Sequence, residues 1–341
     1  MKKVLLYSLL IIACVGSFVA YKYYNYIFAS NVQLDESEID IHIPSDGTMH
    51  TLMDSLVGRN AIIDTTSFKW VADRMKFKNV KPGKYTIKND WTNKDLIGLL
   101  RSGRESSVKL TFNNLRHIKD VAGVISKEVE VDSVSLLNYL TSDEAIELTG
   151  LTEETMMTLF IPNTYELYWD LGARDIVERF LQERRKFWTD DRLKKAEAIG
   201  LTKEEVYTMA SIVQKETNLN SEKPTIAGIY LNRIKKGILL QADPTVVFGV
   251  GDFTIRRVLN KHLEYDSPYN TYIYEGLPPG PIYMPDISTI DAVLNAEDHN
   301  YIYFCASPGY NGKHQFAKTL SQHLANARKY HNWLNKEKIF K

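Results

Sequence analysis

The sequence predicts an α+β protein: an apolar N-terminal helix, a small mixed module, then a larger mixed α+β domain. Three observations carry this. The 341 residues suffice for about two domains. Hydrophobic residues make up 44% and charged residues 25%, the balance of a chain that buries a core. Short strand-like runs at 39–43 and 108–112 are interleaved with apolar residues at helical spacing, with no repeat of fixed period.

At the N-terminus, Lys2 and Lys3 precede the uncharged run 4–21. At about 18 residues, it is near the lower limit for a helix that spans a bilayer. Lys22 and a cluster of Tyr21, Tyr23, Tyr24 and Tyr26 follow, residues that suit a membrane–water interface. Two lysines and the free amine on the near side keep the start of the chain cytoplasmic and the rest exported, as a single-pass anchor of the inner membrane. Two other readings stay open. Ile11-Ile12-Ala13-Cys14 reads as a lipid-attachment site, and a signal peptide could be cleaved, although no clear small-x-small site with a polar flank is present. Residues 22–38 read as a polar, tyrosine-rich stalk.

The small module follows. A strand over 39–43 ends in the turn Pro44-Ser45-Asp46-Gly47. Helices are expected over 49–57, with Leu52, Met53 and Leu56 on one face, and over 67–75. Lys81-Pro82-Gly83 turns into a strand through Ile87, and Thr92 caps a helix through Leu100. A strand over 108–112 and a helix near 118–126 open the larger domain. Its 133–199 stretch is mostly helical, broken by the aromatic, turn-like 160–169.

Composition removes several function classes. Lys+Arg and Asp+Glu are both 42, so the basic excess of a nucleic-acid binder is missing. Cys14 and Cys305 make neither a disulfide framework nor a metal site. The sequence has no zincin helix, no P-loop, no dinucleotide-binding glycine fingerprint and no Gly-x-Ser-x-Gly elbow. Neither metal nor cofactor is expected.

The unusual chemistry gathers after residue 200. Thr202 and Glu205 form a capping box, and Val206, Met209, Ala210 and Val213 recur at helical spacing. Glu216 lies on or beside that stripe, with Gln214 and Lys215 projecting elsewhere. The helix is expected to end over 218–221, so burial and the negative end of the helix dipole both raise the pKa of Glu216. A carboxylic acid tuned to about 6–7 donates a proton well at neutral pH. The plainer reading is a boundary residue paired with an arginine. Ser221 is expected to cap a second helix through about Lys236, with Tyr230 and Arg233 on one face and Gly237 as terminator, forming a tight corner around Glu216.

Rigid loops come next: Leu240-Gln241-Ala242-Asp243-Pro244-Thr245, Tyr269-Asn270-Thr271-Tyr272 and Gly276-Leu277-Pro278-Pro279-Gly280-Pro281-Ile282. Amides, carboxylates, hydroxyls and flat aromatic faces together suit sugars, and scaffolded loops are where function concentrates. Plain turn chemistry for the Pro/Gly run, core packing for Tyr269 and Tyr272, and a structural place for His314 are the competing readings.

At these residues the chain resembles the YceG-like endolytic murein transglycosylase (MltG) family. Ala210-Ser211-Ile212-Val213-Gln214-Lys215-Glu216-Thr217 is similar to its signature helix. The likeness continues through Tyr230-Leu231-Asn232-Arg233-Ile234, the three loops above and His314-Gln315-Phe316. Upstream, Pro162-Asn163-Thr164-Tyr165 and Pro82-Gly83-Lys84-Tyr85 resemble further family motifs, so the likeness covers roughly 40–335. Two departures stand out. Gln214 occupies a position where many members carry a second glutamate, and Asn163 stands for the usual aspartate.

The resemblance implies an anchor over 1–21, a stalk over 22–38, a LysM-like module over 39–107 and a YceG-like catalytic domain over 108–341 facing the cell wall. It implies a lyase that cuts the bond between N-acetylmuramic acid and N-acetylglucosamine in nascent peptidoglycan strands, leaving anhydromuramyl ends. Glu216 falls at the family's catalytic glutamate. Gln241, Asp243, Thr245, Tyr269, Asn270, Tyr272 and His314 are the expected substrate-binding residues. The expected partners are nascent glycan strands and the peptidoglycan synthases that extend them, with no nucleic acid. The rival functions are a non-catalytic glycan-binding scaffold, which needs no Glu216, and a muramidase using Asp243 or Glu166 as a second carboxylate.

Overall fold

A single unbroken helix, α1 (Lys2–Phe28), carries the apolar N-terminal run. Its 27 residues are long and apolar enough to cross a membrane, about 40 Å at 1.5 Å per residue. The computed structural model describes residues 2–309 and 312–338. Within it the chain divides into two units. One comprises Met1–Leu110, Lys127–Val131 and Tyr165–Gly172; the other comprises Thr111–Ser126, Asp132–Thr164 and Ala173–Lys341.

In the first unit α1 is followed by β1 (Glu38–Ile43), α2 (Met49–Gly58), α3 (Thr65–Arg74), β2 (Gly83–Lys88), α4 (Asn93–Ser102) and β3 (Val108–Thr111). Strands β1 and β2 pair antiparallel, with Ile39 opposite Ile87 and Ile41 opposite Tyr85. Their period-2 pattern turns Ile41, Ile43, Tyr85 and Ile87 inward against Leu52, Leu56, Phe68 and Leu96. Fully burying each such side chain contributes about 1.5–3 kcal/mol. Thr48, Asp64 and Thr92 accept hydrogen bonds from the first turns of α2, α3 and α4, satisfying amides that a helix start leaves unpaired.

The segment 22–28 is not a loose polar stalk, because it continues α1. Tyr23 stacks on Trp70 with ring centroids 4.5 Å apart, and Tyr26 meets the same ring edge-on at 5.9 Å. Buried Asn93 completes the junction. Its Nδ2 donates to the Tyr26 carbonyl at 2.9 Å and to Ser67 Oγ at 3.0 Å, while its Oδ1 accepts from Asn31 Nδ2 at 2.7 Å. The aromatic run that the sequence suggested for an interface is thus partly spent on packing.

Within the first unit β3 pairs with β4 (Thr164–Leu167), most of which belongs to its 165–172 segment. The second unit contains α5 (Ile118–Ile125), α6 (Ser133–Leu140), α7 (Asp143–Thr149) and a 3-10 turn at Met156–Leu159. Then come α8 (Ala173–Phe187), α9 (Asp190–Ile199), α10 (Lys203–Glu216), α11 (Lys223–Lys235), α12 (Asp243–Val250), α13 (Asn260–Leu263) and α14 (Ile287–Leu294). The hairpin of β5 (Tyr303–Ala306) and β6 (His314–Ala317) leads to α15 (Leu320–Lys336). The expected mixed α+β character is therefore present, with three two-stranded sheets among the described residues.

Helix α10 forms the middle of this unit. Its 206–213 stretch is buried on every side, packed by α9, α11, α12, α14 and the 3-10 turn, rather than along one stripe. Polar side chains inside it are satisfied locally: Tyr207 Oη donates to the Phe160 carbonyl at 3.0 Å and Ser211 Oγ to the Thr208 carbonyl at 2.6 Å. The Gly-Leu-Pro-Pro-Gly-Pro-Ile run is pinned to α10 because the Ile282 amide donates to Ser211 Oγ at 3.0 Å. A Cβ at Gly280 would lie 2.1 Å from the Glu154 carbonyl oxygen, so this position tolerates only glycine.

Candidate active site

Thr202 and Glu205 form the expected capping box, and α10 runs to Glu216 as its last residue. The helix stops earlier than expected because Thr217 is extended, with φ −145 and ψ 142. Glu216 therefore sits at the negative end of the dipole. Ser221 is not the cap of the next helix. Glu222 holds that position without a side-chain cap, and Pro224 supplies the preset φ of the first turn. The corner between α10 and α11 brings Tyr230 Oη within 2.8 Å of Glu216 Oε1, donating to it.

Three hollows of about 890, 610 and 360 Å³ share Glu216 in their walls. Although Glu216 opens onto them, it is largely enclosed by protein, and burial pushes its pKa up to about 7. The Tyr230 hydrogen bond pulls in the opposite direction, the Asp243 charge raises the value further and the Arg233 charge lowers it. Tyr230, itself buried, is raised well above its ordinary range by burial and by the neighbouring carboxylate, so it remains a donor. Glu216 makes no ion pair with an arginine among the described residues.

Beside Glu216 the smallest hollow is lined by Arg233, Gln241, Asp243 and Tyr272. Tyr272 Oη donates to Asp243 Oδ1 at 2.7 Å, which aims that exposed carboxylate. Gln241 adopts a left-handed backbone, φ 52, and its Oε1 accepts from Arg233 Nη1 at 3.4 Å. Buried Arg233 is otherwise spent on carbonyls: Nη1 donates to Leu239 and Leu240, and Nε donates to Ile302 at 2.7 Å.

Thr245 and Asn270, read from sequence as substrate contacts, lie one layer behind, 0% and 1% exposed. Thr245 Oγ1 is bonded to the Ala242 carbonyl and Thr271 Oγ1. Asn270 Nδ2 donates to the Leu263 and Tyr265 carbonyls, and its Oδ1 accepts from the Tyr272 amide at 3.0 Å. They hold the two loops in place because their polar atoms are already used. Tyr269 is half-buried, packs on Phe248 at 4.7 Å and is pushed up to about 12 by burial.

His314 lines the largest hollow together with Glu216. Its amide and Nδ1 both meet the buried Glu222 carboxylate, at 3.0 and 2.8 Å, which fixes the ring. Sequence reasoning gave no role to Glu222 and treated Tyr230 only as a helix-face residue. The motif around Tyr230 was visible, whereas its pairing across the corner was not. Gln214 turns to other partners: it donates to Asp286 Oδ2 at 3.0 Å and accepts from Lys223 Nζ at 3.2 Å and from Thr289. Among the described residues no group of three or more His, Cys, Asp or Glu could hold a metal ion.

A family model described as the YceG-like family matches residues 41–329. The chain is 26% identical over 311 residues to an endolytic murein transglycosylase of Bacillus subtilis (strain 168), covering 86% of this chain and 85% of that protein. It is 22% identical to proteins of the same name from two strains of Streptococcus pneumoniae, covering 97% of this chain but only 66% of theirs. Among solved structures, a putative YceG-like protein from Listeria monocytogenes aligns with a TM-score of 0.56 at 25% identity, covering 85% of this chain and 98% of that one.

Proposed function

Because the chain belongs to the YceG-like family, we propose that it is an endolytic lytic transglycosylase of peptidoglycan, with Glu216 as its single acid and base. The observation that carries this is an enclosed glutamic acid held near pKa 7 where three hollows meet, with a tyrosine donor on one oxygen.

The chemistry follows from the groups present. Protonated Glu216 gives its proton to the glycosidic oxygen as the bond from the muramyl anomeric carbon breaks. The oxocarbenium-like centre is steadied by the Asp243 carboxylate, which Tyr272 aims. The sugar's own C6 hydroxyl attacks that carbon, and the Glu216 carboxylate takes its proton, with Tyr230 bonding to the charged form. An anhydromuramyl end forms and Glu216 is again protonated, so no water and no second nucleophile are consumed. Gln241, Asp243, Tyr272 and His314 hold the sugars, while Thr245, Tyr269 and Asn270 hold the loops that carry them.

The first unit supports a LysM-like reading through its β1–α2–α3–β2 order and antiparallel β1–β2 pair. In this reading α1 is a single-pass anchor in the cytoplasmic membrane, the remainder is extracytoplasmic, and the partners are nascent strands and the synthases that make them. A two-carboxylate muramidase is the second reading, favoured by Asp243 sharing two hollows with Glu216.

Digestion of uncrosslinked strands by wild type and by Glu216→Gln, read by mass spectrometry, tests the proposal. Internal fragments with anhydromuramyl ends from wild type alone are expected. Reducing ends would transfer the assignment to the muramidase reading, and no cleavage by folded protein would remove both.

A further inference from the structure

One arm of the cleft has no part in the chemistry above. The hollow of about 610 Å³ leads from Glu216 and Asp243 past Phe248 and Phe253 to four cations, Arg116, Lys215, Arg256 and Arg257. The Arg116 guanidinium lies 3.7 Å from the centre of the Phe253 ring, and that ring rests on His117 at 5.6 Å. Lys215 Nζ sits 4.5 Å over the Tyr283 ring. Aromatic faces, rather than acids, hold the Arg116 and Lys215 charges in place. Arg116, Lys215 and Arg256 make no ion pair among the described residues. Burial, and then the Arg116 charge, lower the pKa of Lys215, as expected where cations crowd without a counter-charge.

A wall in which the Arg116 and Arg256 guanidinium groups and Lys215 have no acidic partner among the described residues, set against Asp243 and a Glu216 whose pKa is held up to about 7, favours an anion, and guanidinium planes suit carboxylates best. The sugar being cut must place its anomeric carbon at Glu216, where this arm begins. We propose that the arm holds a carboxylate of the peptide carried on the lactyl group of that same muramyl sugar, so that peptide-bearing strands are preferred over bare ones. This rests on the glycan-cutting reading. The pyrophosphate of a lipid-linked strand is the other available anion. It sits at the strand's end, however, whereas an internal cut places a muramyl peptide beside Glu216.

The test compares kcat/KM on uncrosslinked strands with their peptides, on the same strands stripped by an amidase, and on stripped strands still linked to lipid pyrophosphate. Wild type should favour peptide-bearing strands by about tenfold or more, what one charge-assisted hydrogen bond contributes. In Arg116→Gln/Arg256→Gln that ratio should fall toward one through KM, and Arg116→Lys/Arg256→Lys should restore part of it. Equal rates for wild type, an unchanged ratio in the Gln variant, or rescue of stripped strands by the lipid pyrophosphate would each overturn the proposal. Binding to the Glu216→Gln protein separates the two readings. Tighter binding of peptide-bearing strands supports the arm even if wild type proves unable to cut, a result that would remove only the glycan-cutting reading.

Discussion

Tyr230 and Glu216 stand on successive helices, yet the phenol oxygen lies 2.8 Å from the carboxyl oxygen, donating to it. That bond stabilises the charged carboxylate, while burial and Asp243 oppose it. Tyr230→Phe removes the donor and keeps the packing, so the folded protein should lose no more than about 1 kcal/mol. The pKa of Glu216 should rise, moving the alkaline limb of kcat/KM to higher pH. Removal of one such donor should lower kcat about tenfold or more. A pH–rate profile of the variant beside wild type checks both effects.

The raised pKa of Glu216 also fixes the shape of the wild-type profile. The first step needs the protonated acid, so kcat/KM should hold up to about pH 7 and then fall about tenfold per pH unit. Stability should follow the same group. The folded state keeps its proton up to about 7, while an ordinary glutamate loses it near 4.5. Between those values the folded form binds more protons at this group than the unfolded one, so its contribution to stability is fully present below 4.5 and is lost as pH rises through 7. Glu216→Gln should flatten that decline, as urea midpoints at pH 5 and pH 8 would show.

Gly280→Ala should be among the most damaging single-methyl changes in the chain. The added carbon would meet the Glu154 carbonyl at 2.1 Å, displacing the run whose Ile282 amide holds Ser211 in α10. A loss of about 2–4 kcal/mol is expected from strain of this kind. Gly276→Ala has open space but a backbone at φ 79, so it should cost about 1 kcal/mol. Thermal unfolding of the two variants gives the comparison.

Arg184 is 5% exposed, pairs with Glu204 and donates through Nε to the Thr158 carbonyl at 3.2 Å. Arg184→Ala should destabilise by about 3 kcal/mol, because an acid and a carbonyl lose their buried partner together. Adding Glu204→Gln should recover part of that loss, and a double-mutant cycle by urea unfolding measures the coupling.

The local chemistry of the fold was legible in the sequence. The Thr202 box, the Thr92 cap and the strands β1 and β2 all follow from neighbours a few residues apart. What escaped were pairings across long separations: Tyr230 to Glu216, His314 to Glu222, and Arg116 beside Lys215. Thr245 and Asn270 were legible as special polar residues, but not as residues whose hydrogen bonds are already satisfied inside the loops. A sequence shows which groups can bond, whereas only packing shows which bonds are already made. The same limit explains α10, where tertiary burial on all sides erased the expected distinction between an inner stripe and an outer face.

Helix α1 continues without a break from the apolar run into its contacts with Trp70 and Asn93. With α1 as the anchor, the first unit stands on a mast rather than a leash. From Tyr21 to Phe28 the rise is only about 10 Å, so this unit rides at a fixed height above the lipid and turns whenever the helix turns. On that proposal the first unit keeps to a thin layer next to the membrane, at a height set by a helix and not by a flexible tether.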